Sequence, residues 1–342
     1  MKSHQIICLL LITLAVTCVG TFFVNANETN SEGLQELLIQ QEGVQVFVKD
    51  FKLGYRNTEG SKFTQIQRPG NYMFENEGIR FDTFVRDSTG AGNINEVYVT
   101  LGDSPLIGNN PEVLCIHRSA KKANLNKNIR FDPATDRWYS CEFTAETPEG
   151  QYGEYYIGAE ANTSSGLFLA SNLNVYYFIN PVIVITLDGE IKLENLTAGQ
   201  EYTSSTFRLG NDGDQGSGVP LEFYIGATNL YDRTPGKTFC PSSNVFSLNN
   251  IEYQAEFGGT KTKWQKIPYY NSFIPISKLQ PIFKDMGVPI GAEISLNFRF
   301  KIPQECRGNF NGGKIFLFGR VKDSSPYVPQ VGAGIEPTIV VE

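Results

Sequence analysis

Between Arg137 and Ala161 the chain reads RWYSCEFTAETPEGQYGEYYIGAEA, and its apolar positions alternate. Tyr139, Cys141, Phe143 and Ala145 fall on one side of an extended chain, with Trp138, Ser140, Glu142 and Thr144 on the other. A period of two predicts a strand with one buried face. Thr147-Pro148-Glu149-Gly150 interrupts it as a turn: Pro pre-sets φ near about −65° and Gly accepts a positive φ. A second strand follows, with Tyr155, Ile157 and Ala159 opposite Glu154, Tyr156 and Glu160. A strand with a central Cys, a turn and another strand matches the end of an immunoglobulin-like sandwich.

The same alternation recurs upstream. Val44, Val46 and Val48 predict an opening strand; Ile79, Phe81, Thr83 and Val85 predict another, and Val97, Val99 and Leu101 a third. Asp87–Gly92 is a turn cluster, Val113–His117 carries a further Cys, and a basic loop runs from Arg118 to Lys127. A last strand ends near Leu173–Phe178. About seven short strands with turns every eight to twelve residues predict a sandwich over 43–179.

Asn180-Pro181 is the natural boundary, because Pro ends ladder pairing and restricts its predecessor. Val182–Ile185 then reads as a new buried strand, so the two domains are expected to abut with little slack. The second domain, 180–342, has predicted strands at Thr206–Leu209, Leu221–Ala227, Ile251–Phe257, Ala292–Ile302, Lys314–Val321 and Thr338–Val341. Ile294, Leu296, Phe298 and Phe300 form its cleanest alternation. Ser277–Met286 has helical spacing, limited to a turn or two by Pro281. The predicted fold class is all-β, two tandem immunoglobulin-like β-sandwich domains after an N-terminal signal sequence.

That signal sequence is 1–26. Lys2 precedes an apolar run from Ile6 to Val24, and Val24-Asn25-Ala26 offers a cleavage site. The run is also long enough to stay as an uncleaved anchor. Residues 27–42 read as a tether, either a short helix or a strand donated to a neighbour. In both cases the remainder is placed outside the cell, with the membrane touched only through an uncleaved leader.

The charge is −7, from 29 basic and 36 acidic residues, and becomes −8 once Lys2 leaves with the leader. That balance argues against nucleic acid and anionic membrane as partners. Cys8 and Cys18 lie in the leader, leaving Cys115, Cys141, Cys240 and Cys306. Four cysteines allow three connectivities. One self-contained core per domain favours Cys115–Cys141 and Cys240–Cys306, as expected of an exported protein. Four-thiolate zinc binding would require closely spaced ligand pairs that the sequence lacks.

Catalytic patterns are sparse. His117 is the one histidine after the leader; beside Cys115 it resembles a nucleophile pair, but a disulfide explains that Cys more simply. Gly308–Lys314 approaches a phosphate loop and fails at Ile315, where a hydroxyl is required. Oxygen-rich loops at Asp132–Asp136 and around Asp212-Gly213-Asp214 suggest calcium, with Asp212 and Asp214 as candidate ligands, although a solvated turn is the simpler account. No other cofactor is expected. Trp264, Tyr269 and Tyr270 lie among polar residues as candidates for stacking on sugar rings, against a loop folded onto its own core. Asn27, Asn162 and Asn195 head N-glycosylation triplets, Asn162 in an expected turn and Asn195 near a loop.

GVPL at Gly218–Leu221, FYIGATNLYD at Phe223–Asp232, Cys240-Pro241-Ser242-Ser243-Asn244, Leu248–Phe257, Gly291–Phe300 and Pro303–Cys306 together resemble secreted surface proteins of small-genome DPANN archaea. Glu77–Gly166 resembles the immunoglobulin-like domains that recur in such proteins. The resemblance implies an exported, glycosylated surface component and supplies no active-site residues. The expected function is non-enzymatic and extracellular, structural or adhesive, with partners among copies of itself, other surface proteins or glycans. A carbohydrate-binding module or glycan-processing hydrolase is the alternative, and a filament subunit assembling by strand donation the second.

Overall fold

The computed structural model describes residues 43–342 apart from 58–59, 61, 69, 105–109, 120–129, 235–237, 242–243, 277–286 and 322–324. The expected leader, tether and Asn27 lie outside the described residues, as do Ser277–Met286 and most of the basic loop.

The amino-terminal part contains β1 (Val44–Arg56), β2 (Phe63–Gln65), β3 (Tyr72–Met73), β4 (Glu77–Asp87) and β5 (Ile94–Gly102). It continues with β6 (Asn110–Leu114), β7 (Ile116–Arg118), β8 (Asp136–Thr144), β9 (Gly153–Thr163) and β10 (Gly166–Ile179). Two five-stranded sheets result, ordered β2-β1-β4-β8-β7 and β3-β10-β9-β5-β6. The alternation read from sequence sets their inner faces: Ile79, Phe81, Val85, Val97, Val99, Tyr139, Cys141, Phe143, Ile157 and Ala159 are buried in one core. β4 and β8 run antiparallel with Phe81 opposite Cys141 and Ile79 opposite Phe143, so both strands turn the same residue set inward. Cys115 sits where the chain passes from the edge of one sheet to the edge of the other, its N–H donated to the Val97 carbonyl at 2.7 Å.

The carboxy-terminal part begins with β11 (Ile185–Asp188), β12 (Lys192–Leu196), β13 (Glu201–Thr203), β14 (Phe207–Asn211), β15 (Leu221–Ala227) and β16 (Leu230–Tyr231). Then come β17 (Val245–Phe246), β18 (Ile251–Phe257), β19 (Thr260–Lys261), β20 (Gln265–Lys266) and β21 (Ile274–Pro275). The last are β22 (Glu293–Lys301), β23 (Gly308–Phe310), β24 (Ile315–Val321), β25 (Gln330–Ile335) and β26 (Thr338–Val341). A sheet ordered β11-β14-β22-β18-β19, with β13 on β22 and β20 on β18, shares one core with the sheet β21-β15-β24-β25 and with β12-β26-β23. Ile294, Leu296, Phe298 and Phe300 are buried in that core, as their spacing predicts.

Among the described residues no strand pairing crosses Asn180-Pro181. The buried strand expected at Val182–Ile185 needs correction. β11 starts only at Ile185, and Val182 and Val184 are 49% and 40% exposed. The backbone here pairs with a loop: Asp212 N–H donates to Val184 O at 2.9 Å and Asp214 N–H to Val182 O at 3.1 Å. Apolar side chains alone therefore misled, because the partner of this segment is a turn and not a sheet.

Side chains fasten the crossing point. Asn180, 6% exposed and at φ 51°, accepts from Glu75 N–H at 2.6 Å and donates to Glu146 O and Gln151 O at 3.0 and 2.7 Å. Asn tolerates this left-handed backbone better than other residues with a Cβ. Tyr72 and Phe74, around β3, are buried with the carboxy-terminal core and not with the amino-terminal one. Their loop is pinned by Arg68 and Glu77, a bidentate ion pair at 2.7 and 2.8 Å whose side chains are 0% exposed. The Arg68 guanidinium also lies 4.7 Å from the Tyr72 ring centre and 5.4 Å from that of Phe74.

Candidate functional site

β15 and β24 turn Phe223, Ile225, Ile315 and Leu317 inward. Their other face carries half-buried Tyr224, Phe316 and Phe318. The neighbouring strands present glycine beside two of those rings: Phe316 is flanked by Gly226 and Gly334, and Phe318 has Gly332 on one side and Tyr224 on the other. A Cβ on Gly332 would stand 2.5 Å from the Phe318 ring, so the ring lies where a side chain would otherwise be. Phe273 packs edge-on against Phe318 at 4.4 Å, and Tyr270 stands 6.1 Å from Phe316. Tyr269 and Tyr270, 47% and 46% exposed with centroids 4.9 Å apart, complete the aromatic face. Flat rings edged by phenol hydroxyls can take the apolar side of a sugar or of a protein partner while the hydroxyls remain wet.

Trp264 is not part of this face. Its ring lies under the Arg299 guanidinium at 4.5 Å, on the other large sheet. Arg299 is held there by Glu252 and Glu201, and Lys266 and Lys301 converge on Glu252 at 3.1 Å. Burial pushes the Glu252 carboxyl up, but hydrogen bonds from Arg299, Lys301 and Lys266 outweigh it and hold the group down at about 2. The sequence grouped Trp264 with Tyr269 and Tyr270 by proximity; the register of β18 and β22 separates them by setting Arg299 opposite Glu252.

Asp214 is occupied as a clamp. Its Oδ2 accepts from Val182 N–H at 2.7 Å and from the Tyr152 hydroxyl at 2.8 Å, which raises the Tyr152 phenol above its usual range. Asp136, 2% exposed, takes Arg86 through both oxygens and the Asp132 N–H besides. Among the described residues no three His, Cys, Asp or Glu side chains converge as a metal site, so Asp212 and Asp214 have no third ligand of that kind.

Both cysteine pairs reach disulfide distance within their own halves. Cys115 and Cys141 have Cα atoms 4.5 Å apart, and Cys240 and Cys306 4.2 Å. His117, exposed on edge strand β7, meets the Tyr139 ring edge at 5.4 Å. Gly308–Lys314 joins strands of two different sheets, with Gly312 and Tyr231 bonded backbone to backbone. Asn162 is half-buried inside β9, opposite Leu167 and Glu96, where a turn was expected. Asn195 is exposed at φ 56°, at a break in the register of edge strand β12.

Sequence reasoning missed Tyr224, Phe273, Phe316 and Phe318. In β24 both phases are apolar, Ile315 and Leu317 against Phe316 and Phe318, so alternation cannot tell the outer face from the inner. The alternating glycines of QVGAGI were the available signal.

No known protein family and no curated protein matches the sequence. Among solved structures the chain is similar to the C-terminal domain of the Streptococcus pyogenes antigen I/II-family protein AspA. There the TM-score is 0.33 and the identity 10%, over 85% of this chain and 98% of that one. It is also similar to CfaE, the adhesive subunit of the CFA/I fimbria of enterotoxigenic Escherichia coli, with TM-score 0.32 and 11% identity over 92% and 82% of the two chains. A third is the C-terminal domain of the Streptococcus agalactiae AgI/II polypeptide BspA, with TM-score 0.30 and 9% identity over 86% and 100%. These are bacterial surface and adhesin domains. Likeness at such scores carries nothing about ligand, role or origin for this chain.

Proposed function

We propose that this chain is a non-enzymatic protein of the cell surface, structural or adhesive, with two domains, 43–179 and 180–342, held outside the cell. The single observation that supports this reading best is the fastened junction. Domains joined through a linker move relative to one another unless their interface is large and apolar. Here Asn180, Asp214, Tyr72 and Phe74 tie the two parts with hydrogen bonds and shared core. A stiff pair of sandwiches suits a protein that presents faces at fixed spacing or bears load between cells. Cysteines paired within each part agree with an oxidising compartment. Partners would be other copies, other surface proteins or glycans, and Asn195, exposed at a break in β12, would carry sugar. The archaeal surface proteins that the sequence resembles fit the same role.

The test is protease shaving and amine labelling of intact cells, followed by an adhesion or envelope-integrity assay on cells lacking the chain. Surface exposure with a loss of adhesion or envelope order is expected. A protected, intracellular chain would overturn the reading. The carbohydrate-binding alternative is favoured by one feature, the exposed Tyr269–Tyr270 pair. For the filament alternative, a strand missing from an amino-terminal sheet would be the sign.

A further inference from the structure

At one end of the β2-β1-β4-β8-β7 sheet, the outer face sinks into a cleft of about 290 Å³ where the two parts of the chain meet. Its position follows from the register. Gly78 lies in its lining, paired with Gly54 on one side and with Thr144 on the other. Neither glycine is replaceable without disturbance. A Cβ on Gly78 would collide with the Phe143 carbonyl oxygen, and one on Gly54 with the Thr64 carbonyl and the Phe63 ring. Glycine in a strand often marks close approach of another group, and here that group is the neighbouring strand's carbonyl or the Phe63 ring that forms one wall.

The walls are mixed. Phe63 and Tyr327 supply ring surface, and the Tyr327 hydroxyl donates to the Arg56 carbonyl at 3.3 Å while its ring meets Tyr55 edge-on at 5.9 Å. Arg56 and Glu142 face each other as a two-pronged ion pair, with Nη2 to Oε2 at 2.6 Å. Asn76 and Thr144, both exposed, bring an amide and a hydroxyl to the rim.

We propose that this cleft holds one neutral sugar ring, the ligand site of the adhesive reading on which it rests. Three properties converge. The volume lies at the small end of ligand pockets, enough for a single ring or the end of a chain. The guanidinium and carboxylate cancel, so the cleft has no excess charge to attract an ion, yet it offers fixed planar donors and acceptors beside an aromatic wall. A pyranose has the matching surface: one face of C–H groups for Phe63 or Tyr327 and an equatorial rim of hydroxyls for the Arg56–Glu142 pair, Asn76 and Thr144. A site between two joined parts is a common position for a ligand.

The experiment uses the full chain purified with its cysteines oxidised. Methyl glycosides of glucose, galactose, mannose and N-acetylglucosamine are titrated while ligand-observed NMR reports saturation transfer. At least one is expected to bind with a Kd of roughly millimolar order. Thr144→Phe, which fills the cleft, and Asn76→Gly, which removes the amide at a position with φ 65° that glycine favours, should each weaken it at least tenfold. Arg208→Ala, at an exposed position outside the cleft, should leave it unchanged, whereas loss in Tyr270→Ala would place the sugar on the aromatic face instead. Absence of binding for all four glycosides would overturn the proposal. So would binding that survives both cleft variants or disappears in Tyr270→Ala. Because the assay is made in solution, either result leaves the surface role to be judged by the shaving experiment.

Discussion

Replacing Asn180 by Ala removes the three hydrogen bonds that close the junction and leaves a left-handed backbone under a residue that disfavours it. Each bond contributes about 1 kcal/mol net, and an unpaired group left in a buried place costs about 1–3 kcal/mol. Gln151 O is the buried partner; Glu75 N–H and Glu146 O lie in partly buried bonds that water can replace. The φ of 51° adds about 1 kcal/mol for Ala over Asn. The sum is about 4–6 kcal/mol for Asn180→Ala, and about 1 kcal/mol less for Asn180→Gly, which loses the bonds but accepts the backbone. Guanidinium unfolding of the oxidised chain, followed by tyrosine and tryptophan fluorescence, measures both. The parent should unfold in one transition, because Tyr72 and Phe74 belong to the far core. Asn180→Ala should shift that transition to lower denaturant without splitting it, since Tyr72 and Phe74 still bridge the two cores. A shift under about 0.5 kcal/mol with a single unchanged transition would refute the idea that the junction is a fastening.

Three further outcomes follow from the packing. Arg68→Met leaves the Glu77 carboxylate buried without its cation and should cost about 3–5 kcal/mol, while Arg68→Met with Glu77→Leu should recover most of it; thermal unfolding of both variants checks this. Glu252, held at about 2 against an ordinary 4.5, contributes stability that is complete above about pH 4.5 and declines as pH falls toward 2. Since Lys266 and Lys301 are about half exposed, that share is about 1 kcal/mol, and Glu252→Gln should flatten the acid limb of a stability profile. With loops closed over 26 and 66 residues, breaking Cys115–Cys141 should cost about 3.5 kcal/mol and Cys240–Cys306 about 4.3 kcal/mol in the chain-entropy picture, measured with Cys→Ser pairs.

Strands with one wet face were legible from the chain alone. β22 alternates buried and wetter side chains along its whole length, and β8 does so from Cys141 to Thr144, so the period of two is written in their residue types. Legibility ended where both phases are apolar or where the partner is remote. Phe316 and Phe318 look like core beside Ile315 and Leu317, and only the glycines opposite show which way they turn. Val182 and Val184 read as a buried strand, yet their backbone binds a turn. The Asp212–Asp214 loop reads as a solvated turn with calcium as the alternative, and nothing local announces that Tyr152 and Val182 claim the Asp214 carboxylate. Trp264 was grouped with the tyrosines that follow it, since pairing with Arg299 depends on strand register. The Gly54–Gly78–Thr144 row is a cross-strand feature and has no sequence signature.

The most direct measurement is the intact mass of the protein released from the surface of cells under non-reducing conditions, with a reduced and alkylated sample alongside. A chain beginning after Ala26, with no free thiol before reduction and four after it, and with added sugar mass, is what an exported, stapled surface protein predicts. A chain that retains free thiols on Cys240 and Cys306, or that never appears in the surface fraction, would contradict it.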